Sequence, residues 1–227
     1  MTNARASAIG ILWGVFGMPL LFAGDFSSYR GFQFGGNLSV AAKQAGTQPS
    51  EARLVHQRPA AIQELDWRPG SPMQADLAKT GAVQDGQLFI CNRDLFRILA
   101  TCDRYKVEGM TAEDMIEAIS VTYGTATRPA AEITCRCNYG ELAPVIARWE
   151  DSAYSYDLLH TGDQSSFAMI LYSKRVDALA RAATTEAVRL EAEDAPKREV
   201  ERQEKGAEEA RLRLENAWLL NKPNFRP

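Results

Sequence analysis

Apolar positions follow different periods along this chain, and the period changes at turn or capping residues. Met115, Ile116, Ile119 and Tyr123 recur at helical spacing. Thr111 precedes them as an N-cap with Asp114 three residues on, Met110 and Met115 take the staple positions around that cap, and Gly124 supplies the stop. A fainter copy of this opening lies upstream, where Asn37 caps a short helix over 38–45 that contains Ala41, Ala42 and Ala45 and ends at Gly46. After each helix the period falls to two. Strands are expected near 54–67, 82–91 and 95–103, the last two a hairpin about Asn92-Arg93-Asp94. A second set at 145–150, 154–159 and 167–172 forms a meander broken by Asp151-Ser152 and Thr161-Gly162-Asp163. On this alternation Val145, Ala147 and Trp149 share one face, and Tyr154, Tyr156 and Leu158 share one face of the next strand.

Helix then three strands, twice over, predicts an α+β fold built from two units, about 25–104 and 105–173, around antiparallel sheet. Neither unit is large enough to bury its sheet well alone. The stretches Phe34-Gly35-Gly36-Asn37-Leu38 and Glu108-Gly109-Met110-Thr111 carry a resemblance. A glycine, a polar cap, a short helix and antiparallel strands resemble the units of the β-lactamase-inhibitor-protein fold, shared by small lipoproteins that assist outer-membrane protein assembly. The likeness spans about residues 30–173. It departs from that pattern in lacking a lipid-anchor cysteine and in a long Pro- and Gly-containing loop from Trp67 to Gly81. The resemblance implies a protein that works by binding, so no catalytic residue is carried over.

Beyond residue 173 the composition shifts, with 23 charged residues among the last 54 against 32 in the preceding 173. This extension, 174–227, reads as a long helix. Val176, Leu179, Ala183, Ala187 and Leu190 make a stripe that can dock on the sheet or on a partner. Pro196 predicts a kink or restart, with Asp194 as its cap. Further on, Glu201 with Lys205 and Glu209 with Arg213 are ordered as a solvated helix orders its pairs. Only Val200, Ala207 and Leu214 repeat every seven residues, a thin coiled-coil signal. Trp218-Leu219-Leu220 closes this polar helix and needs a surface to bury it.

The first 24 residues change where the protein is expected to act. Arg5 is followed by nineteen uncharged positions before Asp25, with an apolar run over 8–22, Pro19 near its end and small residues at Ala23-Gly24. That is the layout of a secretory signal, and the chain is expected in the periplasm or outside the cell. Leu21 is a poor residue three before the cut, so retention as an inner-membrane anchor by residues 8–23 is the alternative, although a bilayer core wants about 20 apolar residues in a helix. Export bears on the four cysteines, since an oxidising compartment pairs thiols. Cys135 and Cys137 point to opposite sides if extended, so a bridge from Cys91 or Cys102 to that segment is one reading, and buried free thiols the other.

A net charge of -3 gives no basic footprint for phosphate backbones, so nucleic acid is not an expected partner. No G-x-S-x-G, H-E-x-x-H or phosphate-binding glycine loop occurs, and no catalytic, cofactor or metal residue is assigned. His56 and His160 are the only histidines. The candidate binding surface is aromatic, comprising Trp149, Tyr154 and Tyr156 with Trp218 on the extension; the competing reading puts the three sheet residues beneath the C-terminal helix. The expectation is thus an exported, non-catalytic binding or envelope-associated protein with an unknown protein partner, touching membrane only through an uncleaved N-terminus. An exported hydrolase using a histidine, and a scaffold or homo-oligomer paired through the C-terminal helix, are the alternatives.

Overall fold

A computed structural model of the chain describes residues 24–69, 82–129, 134–136, 142–161, 166–224 and 226. The signal-like segment before Gly24 lies outside the described residues, as does Cys137.

The described chain opens with a small hairpin of β1 (Ser28–Tyr29) and β2 (Phe32–Gln33). It continues into α1 (Leu38–Ala45), which starts where Asn37 Oδ1 accepts from the Val40 N–H at 3.0 Å and stops at left-handed Gly46. Four strands follow: β3 (Arg53–His56), β4 (Ile62–Trp67), β5 (Val83–Cys91) and β6 (Asp94–Cys102). A short α2 (Arg104–Val107) leads to α3 (Ala112–Tyr123), whose reciprocal Thr111–Asp114 cap is present as the spacing predicted. Four more strands, β7 (Thr134–Arg136), β8 (Leu142–Glu150), β9 (Tyr154–Thr161) and β10 (Ser166–Ser173), precede α4 (Lys174–Asn221). The mixed α+β content, antiparallel sheet and long C-terminal helix agree with the sequence reading.

The eight strands from β3 onward form one sheet in the order β3-β4-β5-β6-β10-β9-β8-β7. Each half is a meander, and the halves meet where β6 pairs antiparallel with β10, Leu99 opposite Ile170. Each unit therefore supplies four strands, one more than its alternation predicted. In the first unit the stretch 54–67 divides at Pro59, which has no N–H for a ladder. The break is held by Asn92, whose N–H donates to the Ala61 carbonyl at 2.8 Å while its Oδ1 accepts from the Ala61 N–H at 3.0 Å. In the second unit β7 is the added strand.

One face of the sheet carries α1, α3 and the β1–β2 hairpin. There Leu65, Trp67, Leu88, Ile98, Trp149, Tyr156 and Leu158 pack with Phe26, Phe32, Ala42 and Met115. The other face carries the beginning of α4, where Ile62, Cys91 and Phe96 meet Ala180. Two bulges decide which side chains reach that second face. Between Phe89 and Ile90 the β5–β6 register slips, so Phe96 and Arg97 both turn toward α4. A second slip between Val145 and Ala147 parts Val145 from Ala147 and Trp149, which corrects the expectation that the three share a face.

Trp67 pairs with Gly86, and a β-carbon on Gly86 would lie 2.6 Å from the Trp67 ring and 2.7 Å from the Leu99 carbonyl oxygen. Gly86→Ala is therefore expected to destabilise the domain by about 1–3 kcal/mol through overpacking. Gly206, in α4, has no atom within 4 Å of such a carbon, so Gly206→Ala should stabilise its helix by about 0.5–1 kcal/mol. Thermal melts and helical circular dichroism of the two variants check the pair of opposite signs.

Candidate functional site

The start of α4 is fixed to the sheet by charge. Asp177 is buried, and its carboxylate accepts from Arg97 Nε at 2.7 Å on one oxygen and from Arg181 Nε at 2.7 Å on the other. Arg97 also lies over the rings of Phe89 and Phe96, with centroids 5.7 and 5.8 Å away. Drawing Asp177 inward sets the helix rotation. Val176 and Ala180 turn to the sheet and Ala187 is buried further along, while Leu179 is left 58% exposed, so Leu179 leaves the stripe predicted for it. Nearby on the same face, buried Asp157 takes a two-point contact from Arg148, at 2.6 and 2.8 Å, with Ser155 and Tyr172 completing the cluster. The Asp157 hydrogen bond holds the Arg148 guanidinium well above its ordinary pKa. These embedded charges were missed from sequence, although single charges inside apolar strands, Arg97 in β6 and Asp157 in β9, are a signal that partners exist.

A second set of contacts grips α4 where it leaves the domain. His56 Nδ1 lies 3.0 Å from Glu191 Oε1, and Arg58 pairs with Asp194. A groove of about 480 Å³ opens beside them, lined by Arg58, Leu190, Asp194, Lys197, Arg198 and Glu201 among others. An apolar groove of about 550 Å³ flanks the helix nearer its start, with Pro59, Cys91, Val176 and Leu179 in its wall.

Past Asp194, α4 continues as an exposed arm to Asn221. The predicted restart at Pro196 is absent, because the helix is continuous through it. A side-chain donor serves the backbone there: Arg198 Nη2 reaches the Glu191 carbonyl at 3.2 Å. Pairs Glu186–Arg189, Glu199–Arg202 and Glu208–Arg211 support the exposed surface of the helix. The hydrogen bond from Arg189 holds the Glu186 carboxyl below its usual range. Leu214, Trp218 and Leu220 are 72%, 56% and 70% exposed on this arm, and Lys222 Nζ sits 4.3 Å from the Trp218 ring centre.

The aromatic surface expected on the sheet is corrected. Trp149 and Tyr156 are buried core residues beneath α3 and the N-terminal hairpin, on the face opposite α4. Trp149 Nε1 donates to the Gly124 carbonyl at 3.0 Å, and Tyr156 donates to the Ser28 carbonyl at 2.8 Å amid Phe26, Tyr29 and Tyr123. Burial pushes Tyr29 up to about 12 and raises Tyr156 further. Tyr154, half-buried, stacks on Phe34 with centroids 5.5 Å apart. Trp218 is the one member of the set that stands open, far along the arm.

Cys91 and Cys102 are buried free thiols at opposite ends of the β5–β6 hairpin, Cys91 toward α4 and Cys102 toward the other core. Cys135 belongs to β7, and its side chain lies outside the described residues. His160 leans on Phe167, centroids 5.2 Å apart. Among the described residues no three His, Cys, Asp or Glu side chains converge to hold a metal ion, and no helix is long and apolar enough to cross a membrane.

Comparison with family models, with curated proteins and with solved structures found no match. No relative lends this chain a function.

Two outcomes follow. Asp177→Ala leaves Arg97 without its partner and is expected to destabilise the docked part of α4 by about 3 kcal/mol, seen as faster amide exchange over residues 174–190. Burial pushes the Cys102 thiol from 9.0 up to about 11 and raises Cys91, so the Cys102 thiolate fraction near neutral pH is about a hundredfold below that of a free thiol. Iodoacetamide labelling of the reduced, folded protein, followed by peptide mass mapping, should find both slow at neutral pH and Cys102 accelerating until about pH 11.

Proposed function

We propose that this is an exported, non-catalytic protein of the bacterial envelope or its surroundings that acts through protein–protein contacts, with the far half of α4 as its presenting element. The observation that carries the reading is the arm itself: it leaves a folded domain, buries nothing beyond Asp194, and holds Leu212, Leu214, Trp218, Leu219 and Leu220 46–72% exposed. Large apolar side chains grouped on an exposed element mark contact sites, and Trp is a frequent anchor in them. Support for export comes from the charge and apolar pattern of residues 1–24. The openings Phe34-Gly35-Gly36-Asn37-Leu38 and Glu108-Gly109-Met110-Thr111 resemble those of the β-lactamase-inhibitor-protein type, whose members work by binding, and that resemblance of sequence supports the reading.

A second reading, an exported hydrolase centred on His56, draws on the carboxylate of Glu191 at 3.0 Å from its ring and the groove beside it. On the favoured reading that pair is a strut. The side chain of His56 is only 11% exposed, and the ring nitrogen holds the helix where it departs.

Fractionation of cells expressing the chain, with N-terminal mass determination, is expected to find it exported and cut near Ala23-Gly24. A photo-crosslinking residue placed at Leu214 or Trp218 should then capture protein in that compartment, while one at Arg53, on the sheet margin, should not. Cytosolic protein with Met1 intact overturns export. Equal capture from all three positions, or hydrolysis of ester or peptide substrates that His56→Gln abolishes, overturns the binding reading.

A further inference from the structure

We infer that residues 199–222 of α4 pair antiparallel with the same segment of a second copy of this chain. The inference rests on the reading of the arm as a contact surface and does not depend on export. Val200, Gln203, Ala207, Ala210, Leu214 and Ala217 follow one another at steps of three and four, so they form a single seam along the arm. Val200 and Leu214 are 54% and 72% exposed, and among the described residues nothing from the domain covers the seam.

Charge chooses the occupant and its direction. A two-fold axis between Ala207 and Ala210 brings Val200 against Ala217, Gln203 against Leu214, and Ala207 against Ala210 of the other copy. Glu204 then faces Arg211 of the second copy, and Arg211 faces its Glu204, so the arm is complementary to itself when reversed. Parallel pairing instead sets Glu199, which Arg202 of its own helix partners, against Glu204 twice, and brings no cation of the second copy to either. Gln203 is the one polar residue in the seam, the kind of layer that fixes register at some loss of stability.

Length agrees with this register. At 1.5 Å per residue the axis lies roughly 22 Å beyond Asp194, where the His56 and Arg58 contacts release the helix. Trp218 of one copy therefore reaches the level of Glu199 in the other, beside the groove walled by Leu190, Lys197, Arg198 and Glu201. The apolar cluster that ends each arm falls at the base of its partner, and the two Asp194 residues lie roughly 44 Å apart along the arm.

Sedimentation equilibrium of the purified full chain tests this directly. The wild type is expected to be a dimer. Glu204→Arg and Arg211→Glu each replace two attractions by two repulsions and should weaken association at least about tenfold, while an equimolar mixture of the two restores it, since every facing pair becomes opposite in sign again. Helical circular dichroism of the variants checks that the arm remains folded. A wild type that stays monomeric to about 0.5 mM overturns the inference. So does a dimer that Glu204→Arg strengthens, which marks parallel pairing, or a dimer indifferent to both substitutions, which marks a different surface. Crosslinks from Leu214 to a different protein, with a monomeric wild type, preserve the contact reading and remove the second copy as its occupant.

Discussion

The ion pair between Arg97 and Asp177 sets what the rest of the molecule can do. A buried carboxylate is expensive unless it is paired and hydrogen-bonded, so α4 must present Asp177 to the sheet at one rotation and one height. That rotation lays alanines, rather than leucines, against the strands, which lets the helix approach closely. It also fixes the line along which the helix departs. The bulge at Phe96 and Arg97 is the strand's share of the arrangement, because a regular β6 would have turned Arg97 into the opposite core.

The two faces of the sheet accordingly do different work. On one, α1 and α3 seal an aromatic core in which Trp149 and Tyr156 have their polar atoms satisfied by backbone carbonyls. On the other, polar residues run through the interface, with Arg148, Asp157 and Tyr172 near the Arg97–Asp177 contact. An apolar interface would be less selective about the helix rotation. A polar one with defined donors and acceptors favours a single docking geometry.

Much of this was legible in local patterns. The caps at Asn37 and Thr111 set both helix starts, because a capping side chain acts on its own neighbours within a few residues. The hairpin about Asn92 and Arg93 was equally local, and both residues take positive φ angles there. What escaped was set by distant partners. Val145 changed face through a register slip that alternation cannot reveal. Leu179 lost its place in the docking stripe to the Arg97–Asp177 pair, whose members lie 80 residues apart. Trp149 and Tyr156 suit an interface or a covered sheet by residue type, and the packing of α3 and the N-terminal hairpin, not of α4, is what covers them. Pro196 predicted an interruption by the helix-interior rule, yet the helix is continuous through it, in a stretch exposed to solvent.

The margins of the sheet have a bearing on how such molecules meet. β3 is four residues long, irregular between Leu54 and His56, and opens on an exposed Arg53; β7 is three residues long. Short, kinked and charged rims offer few free backbone groups to an incoming strand. With the central strands fully partnered and the outer ones blunted in this way, the sheet is a poor template for growth. A crowded solution of this protein is thereby guarded against fibril-like stacking along these edges.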